Sequence, residues 1–387
     1  MFQIKLQNKI SPAGLDLFDK SKYTYHDEIE NPDAIMVRSA SLHEMAFGDN
    51  LKAIVRAGAG TNNIPVDRCT EQGIVVFNTP GANANAVKEL ALMGMLLASR
   101  HVLAATEWVK SLKGQGAEVP KLVEKGKGQF VGPEIKGKKL GVIGLGAIGA
   151  LVANAALALG MEVYGYDPYL SVEGAWGLSA DVHKAKSQKE IYEVCDYISI
   201  HVPLSPETKG MINATSISSM KNGAVILNFS RADLVVAEDI KEALAAKKVG
   251  CYVVDFPTDE VLDVEGILAI PHLGASTPES EDNCASMAAQ QVIDFLENGN
   301  ITNSVNLPDV SLPRGGDIRI CVIHKNIPHM LSQISGFFSE KGINIENMIN
   351  KAKKDYAYTM LDINGDRRCG FLGDLEQIEG IIKATAL

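Results

Sequence analysis

The chain has 387 residues, six cysteines and a formal net charge of −10. Its length exceeds one ordinary core and predicts two or three domains, while the acidic balance excludes the basic patch that nucleic acid or a membrane surface needs. Small molecules and further copies of the chain (a homo-oligomer, dimer or tetramer) are the expected partners. The dispersed Cys69, Cys195, Cys251, Cys284, Cys321 and Cys369, without a CxxC pair or metal spacing, read as core residues of a reducing, cytoplasmic compartment, and MFQIKLQNKISP shows no signal peptide.

Short apolar runs alternate with helix-period segments, the pattern of parallel sheets with crossover helices. QIKL, AIMVRS, LKAIVRAG and IVVFNT predict the strands of a small α/β unit ending near Pro80, and one long helix is expected from about Ala84 to Lys113. A Gly- and Lys-rich stretch leads to six further runs, GVIGLG, EVYGYD, YISIHV, AVILNFS, CYVVDF and ILAIP, the strand count of a doubly wound dinucleotide domain. The helical PESEDNCASMAAQQVIDFLENG follows, and then NITNSVNLPDVSLPRGGD, whose Pro, Asn and Gly content reads as a linker. Beyond it, RICVIH, a helix from Pro328 to about Lys341, INIENMI, YAYTMLDI, a weak helix around LEQIEG, and IIKATAL give a βαββαβ order, that of a ferredoxin-like domain.

The segment from Lys138 to Asp167 carries the parts of a dinucleotide-binding turn in order. Gly144 permits the tight strand-to-helix turn, Gly146 lets the backbone approach a pyrophosphate, and Gly149 lets the helix pack closely on the sheet. The pyrophosphate is expected on the free N–H groups of that helix. Asp167, eighteen residues beyond Gly149, falls where a carboxylate accepts hydrogen bonds from the ribose hydroxyls and repels a 2′-phosphate, which predicts NAD over NADP.

Ligands of such sheets bind beyond the carboxyl ends of the strands. Arg231, Glu260 and His272 stand at three of those ends. Singly, each has a plainer reading as a surface ion pair, a solvated acid and a satisfied loop residue. Together they supply what hydride transfer from an α-hydroxy acid requires: a fork to hold a carboxylate, a base for the hydroxyl proton and a partner for that base.

On these residues the chain resembles the D-isomer-specific 2-hydroxyacid dehydrogenases over nearly its whole length. The resemblance implies the catalytic set Arg231, Glu260 and His272: Glu260 lies twenty-nine residues after Arg231, Asp255 falls on a strand-terminal Asp facing the nicotinamide carboxamide, and His272 lies in IPHLGAST. Sliding FPTDE by one gives Asp259 the role of Glu260. Arg231-Ala232-Asp233 departs from the family's Arg-Gly-Gly. The implied cofactor contacts are Gly144, Gly146, Ala147, Ile148, Gly149, Asp167, Val202, Pro203, Asp255, His272 and Gly274.

RAGAGTNNIPVD is similar to the family loop that receives the substrate carboxylate at Ala59 and Gly60, and Arg38, Ser39 and Arg56 fall where the branch of the family acting on 3-phospho-D-glycerate faces its substrate. The tail resembles the ACT module, which implies an amino-acid effector, L-serine, at His324, Asn326 and Asn344, or a module kept for assembly alone; Pro328-His329 replaces the family's Pro-Gly. His324 and His329 have no third ligand nearby, so no metal is expected. The implied organisation is a flavodoxin-like substrate-binding domain over 1–90, resumed at 275–305, a Rossmann-type NAD domain over 91–274, a linker at 306–316 and an ACT domain over 317–387. A reductase of glycerate or hydroxypyruvate, and a protein that senses NAD and an amino acid, are the alternative readings.

Overall fold

The structure, a computed structural model, describes residues 1–364 and 370–387, so Cys369 lies outside the described residues. The chain divides into two compact units, Met1–Asn83 with Pro278–Leu387, and Ala84–Thr277.

In the first unit a parallel sheet runs in the order Tyr23–His26, Phe2–Gln7, Ala34–Val37, Ala53–Arg56, Val75–Phe77, the flavodoxin-like arrangement. The edge strand Tyr23–His26 was not legible among the predicted runs, because only Tyr23 of YTYH is buried. Helix Pro278–Asn298 places Ala285, Ala288, Ala289, Val292 and Leu296, at i, i+3, i+4, i+7 and i+11, in the sheet's core. A Cβ on Gly14 would stand 2.4 Å from the Ala285 carbonyl oxygen, so glycine is what lets the short helix Pro12–Leu15 pack there.

The C-terminal residues form an antiparallel sheet in the order Ile345–Lys353, Tyr356–Ile363, Ile318–Lys325, Ile381–Ala386, with helices Met330–Glu340 and Leu372–Glu376: the ferredoxin-like βαββαβ topology. This module is not set apart from the first sheet. One face, with Ile320, Val322 and Leu361, covers its own helices through Ile334 and Phe338. The other, with Cys321, Ile323, Tyr358 and Met360, shares a core with Phe77, Phe295 and Leu296. Two-sided burial explains why RICVIH reads as a continuous apolar run rather than an alternating one. Arg319 and Asp362, 1% and 0% exposed in their side chains, pair through two hydrogen bonds of 2.7 and 2.9 Å, and the guanidinium also reaches the Asn298 and Pro313 carbonyls.

The stretch read as a linker is likewise packed. Ile301, Leu307 and Val310 are buried, and Asn306 accepts from Val76 N and donates to Ile74 O, strapping the edge of the sheet. Its prolines and asparagines signal irregular backbone, but that backbone finds its partners on the protein rather than in water.

The second unit is a seven-stranded parallel sheet in the order His183–Lys184, Glu162–Tyr166, Lys139–Ile143, Tyr197–Ile200, Ala224–Asn228, Val249–Val254, Ile267–Ala269. The six expected strands are joined by the two-residue His183–Lys184, too short for periodicity to show. The order reverses between Lys139–Ile143 and Tyr197–Ile200, the switch point at which such sheets bind dinucleotides. The long helix expected from Ala84 is two: Ala84–Arg100 ends at His101, whose φ of +48° breaks the helix, and Val102–Ser111 continues with no buried residue.

Candidate active site

Strand Lys139–Ile143 delivers Gly144, whose φ is +90° and whose Cβ, if present, would stand 2.5 Å from the His201 carbonyl oxygen. Left-handed backbone and lack of room both demand glycine here. A Cβ on Gly149 would lie 1.9 Å from the Gly144 carbonyl oxygen, so this glycine brings helix Ala147–Ala158 onto the turn. Around Gly146 nothing lies within 4 Å of where a Cβ would be. Packing does not demand glycine at this N-cap, so its open backbone has room for a ligand to approach.

Asp167 follows strand Glu162–Tyr166 and accepts from Leu145 N and Tyr169 N, both at 2.8 Å. It fixes the glycine turn and borders a cleft of about 420 Å³ lined by Gly146, Ala147, Asp167, Tyr169 and Glu173, with neither lysine nor arginine in its lining. The geometry fits NAD: a free backbone for the pyrophosphate, a carboxylate for the ribose and no cation for a 2′-phosphate. Val202, expected at the cofactor, lies beside Gly144, and Pro203 is held in the following loop by the Thr208 hydroxyl at 2.7 Å.

His201 was missed by sequence reasoning. Its ring is partly buried by area, yet Nδ1 is sealed from solvent without a partner while Nε2 lies 2.8 Å from Ser199 Oγ. Burial lowers its pKa to about 4, so the imidazole is neutral at physiological pH. Its position at the end of the strand beside the switch point was the available signal.

At the other strand ends, Arg231 and His272 meet the same ring. The Arg231 guanidinium lies 5.5 Å from the Phe256 centroid and the His272 imidazole 4.4 Å from it. Both side chains are otherwise exposed. Ala232 and Asp233, in place of two glycines, form a short 3₁₀ turn with negative φ, so this loop does not need glycine. His272 has φ +53°, and the turn after it is held by Asp255, which is 1% exposed and accepts from Leu273 N at 2.8 Å and Gly274 N at 2.7 Å. Burial raises the Asp255 carboxyl above its ordinary range against the pull of those hydrogen bonds.

Glu260 is placed differently from expectation. It stands exposed on the 3₁₀ turn Asp259–Val261 and accepts from the Thr258 hydroxyl at 2.6 Å, which keeps its carboxyl below the usual range. Neither Glu260 nor Asp259 hydrogen-bonds the His272 imidazole. An acid on an exposed turn is free to bond its nearest hydroxyl, and sequence spacing does not reveal that competitor.

In the first unit, Asn8 Oδ1 accepts from Ser39 N and Ala40 N at 3.0 and 2.7 Å, fixing the loop that carries Arg38. Arg56 Nε donates to the Arg38 main-chain carbonyl at 2.9 Å and its Nη1 to Asn62 Oδ1 at 3.2 Å, which ties the side chain of one expected phosphate ligand to the loop that carries the other. Ala59 and Gly60 lie in the exposed loop after them, where the Ala59 carbonyl accepts from Asn78.

The expected effector set does not hold together. His324 is 2% exposed, with Nδ1 on the Lys325 carbonyl at 2.8 Å and Nε2 on Thr359 Oγ1 at 2.9 Å, so burial in the sheet removes it from an effector's reach. Asn326 and Asn344 are exposed and bond Lys354 O and Glu346. His329 takes φ +70° at the entry to helix Met330–Glu340, a conformation suited to the glycine it replaces. Among the described residues, no helix is long and apolar enough to cross a membrane.

Comparison with known proteins agrees with this geometry. Residues 92–274 match the family described as D-isomer specific 2-hydroxyacid dehydrogenase, NAD binding domain. D-3-phosphoglycerate dehydrogenase of Escherichia coli (strain K12) is 33% identical over 341 residues, spanning 85% of this chain and 79% of the relative; that of Haemophilus influenzae is 32% identical over 346 residues with the same coverage. The crystal structure of NAD⁺-bound 3-phosphoglycerate dehydrogenase from Entamoeba histolytica superposes with a TM-score of 0.62 at 29% identity, covering 79% of this chain and 98% of that one. D-2-hydroxyisocaproate dehydrogenase shares the fold, with a TM-score of 0.64 at 22% identity over 79% of this chain and 99% of that one. By this family match and by 33% identity across 79% of the Escherichia coli relative, the chain belongs to the NAD-dependent D-isomer specific 2-hydroxyacid dehydrogenases.

Proposed function

We propose that the chain oxidises 3-phospho-D-glycerate to 3-phosphohydroxypyruvate, the entry step of L-serine biosynthesis. The observation that carries the reading is that Arg38 and Arg56 of a family member stand at the ends of neighbouring strands, with Arg56 Nε on the Arg38 main-chain carbonyl, so that one loop region of the first unit offers two cations to a phosphate of nearly two negative charges. The turn of Gly144, Gly146 and Gly149 with Asp167 would hold NAD, which would supply the acceptor for the hydride leaving C2 of the substrate. Arg231 holds the substrate carboxylate with its fork while Phe256 braces the guanidinium. His272 takes the hydroxyl proton on its imidazole, and Asp255 fixes the turn that presents that ring. Glu260 steadies the resulting imidazolium after leaving Thr258. The test is Arg38→Ala. Loss of a hydrogen bond to a charged group, about 1.5–3 kcal/mol, raises KM for phosphoglycerate about 10- to 100-fold, with little change for D-glycerate. Equal losses on both substrates would favour a reductase of unphosphorylated hydroxy acids.

The same reading makes the protein a cytoplasmic homo-oligomer. The arm after His101 supports self-association: helices Val102–Ser111 and Val119–Gly126 bury no residue, and Val102, Leu103 and Val109 are about half exposed. L-serine is the proposed effector of the C-terminal module, carried by Asn326 and Asn344 without His324, and calorimetry with serine on the full chain tests it.

A further inference from the structure

Arg38 leaves strand Ala34–Val37 on a loop pinned by Asn8, and Arg56, at the end of the neighbouring strand, is tied to it through the Arg38 carbonyl. Facing them is the first turn of helix Pro278–Asn298. There Glu281 Oε1 lies 2.7 Å from Arg38 Nη2, while its neighbour Asp282 is engaged by the Ser11 hydroxyl. The cation read as the phosphate ligand is thus already holding an anion that belongs to the protein.

We propose that Glu281 is a specificity-determining residue: it occupies Arg38 in the free enzyme, must yield it to the substrate phosphate, and so sets the preference for phosphorylated over unphosphorylated 2-hydroxy acids. The inference rests on Arg38 being a phosphate ligand. Relative strengths decide that the exchange runs toward substrate. The Arg38 and Glu281 side chains are 40% and 43% exposed, and a pair so solvated holds by at most about fivefold. A phosphate on Arg38 gains charge-assisted hydrogen bonds worth about tenfold or more. Glu281 has solvent to swing into, but its charge stays near the phosphate and continues to oppose it.

Glu281→Gln keeps the shape and removes the charge. The expected result is a KM for 3-phospho-D-glycerate about three- to tenfold lower, an inhibition constant for inorganic phosphate lowered in parallel, and a KM for D-glycerate unchanged. Calorimetry with inorganic phosphate reads the same change without turnover, and Glu281→Ala, a second variant, should move it in the same direction. If Arg38→Ala impairs both substrates alike, the phosphate reading itself is wrong and this inference falls with it. If Arg38→Ala is selective while the Glu281 variants leave phosphate affinity unchanged or weaken it, Glu281 positions Arg38 rather than competing for it, and the inference alone is overturned.

Discussion

Replacing Asp255 with alanine should disable the base proposed at His272 without touching its side chain. His272 sits at φ +53°, a conformation that costs an L-residue about 1–2 kcal/mol, and it keeps this geometry because the next two backbone N–H groups are bound by a buried carboxylate. Two hydrogen bonds to a charged group contribute about 1.5–3 kcal/mol each, so the strain is outweighed by roughly 1–5 kcal/mol. Asp255→Ala removes both acceptors, orphans Leu273 N and Gly274 N, and lets the turn relax. A displacement of about 1 Å at a reacting group costs on the order of 10²-fold, and loss of a positioned base costs at most about 10⁴-fold. The expected fall in kcat therefore lies near 10²-fold, with Asp255→Asn intermediate because its amide retains one acceptor. Steady-state kinetics with urea unfolding checks both halves of the argument. A variant with kcat within threefold of wild type and an unchanged unfolding transition would refute it.

Three further expectations follow from the described geometry. Gly146→Ala meets no protein atom and should fold with wild-type stability yet bind NAD at least tenfold more weakly, whereas Gly149→Ala drives a methyl into the Gly144 carbonyl and should destabilise the second unit; calorimetry and urea melts separate the two, and tight NAD binding by Gly146→Ala would contradict the ligand-facing role. His201, with a pKa of about 4 in the folded state against about 6.5 unfolded, takes up its proton more readily on unfolding, so its contribution is fully present above pH 6.5 and is lost as pH falls toward 4, about 3 kcal/mol in all. The difference between wild type and His201→Asn in urea titrations across that window isolates the effect, and parallel curves would count against it. Asp362→Ala strands the buried Arg319 guanidinium and should cost the first unit about 3–5 kcal/mol, most of it recovered in an Arg319→Met, Asp362→Leu pair; a loss below about 1 kcal/mol for the single variant would show the pair to be relaxed by water.

Much of the fold was legible because two periodicities dominate it. The stretches AVIL and CYVV carry no charged or amide side chain because both faces of their sheet are covered, and Gly144, Gly146 and Gly149 announce their turn by spacing alone. What escaped reading depends on contacts distant in sequence. His101 looks helical until its φ turns positive, and Asn306 looks like linker until Val76, Ile74 and Thr70 claim its amide. His324 has the right spacing for an effector ligand, but the sheet register that sets Thr359 beside it lies thirty-five residues away. In the candidate site the sequence placed Arg231 and His272 at strand ends, and both lie against one ring, but Phe256 between them and the grip of Asp255 on the His272 turn were not legible, since each follows from the way two strand ends fold toward one another.

Initial rates of NADH formation from 3-phospho-D-glycerate, D-glycerate and D-lactate, each measured with NAD and with NADP, test the central claim directly. The expected result is a kcat/KM for phosphoglycerate at least about tenfold above the unphosphorylated acids, as the charge-assisted contacts proposed for Arg38 would give, and turnover with NAD in preference to NADP. Faster oxidation of an unphosphorylated acid, or indifference to the cofactor's 2′-phosphate, would contradict it.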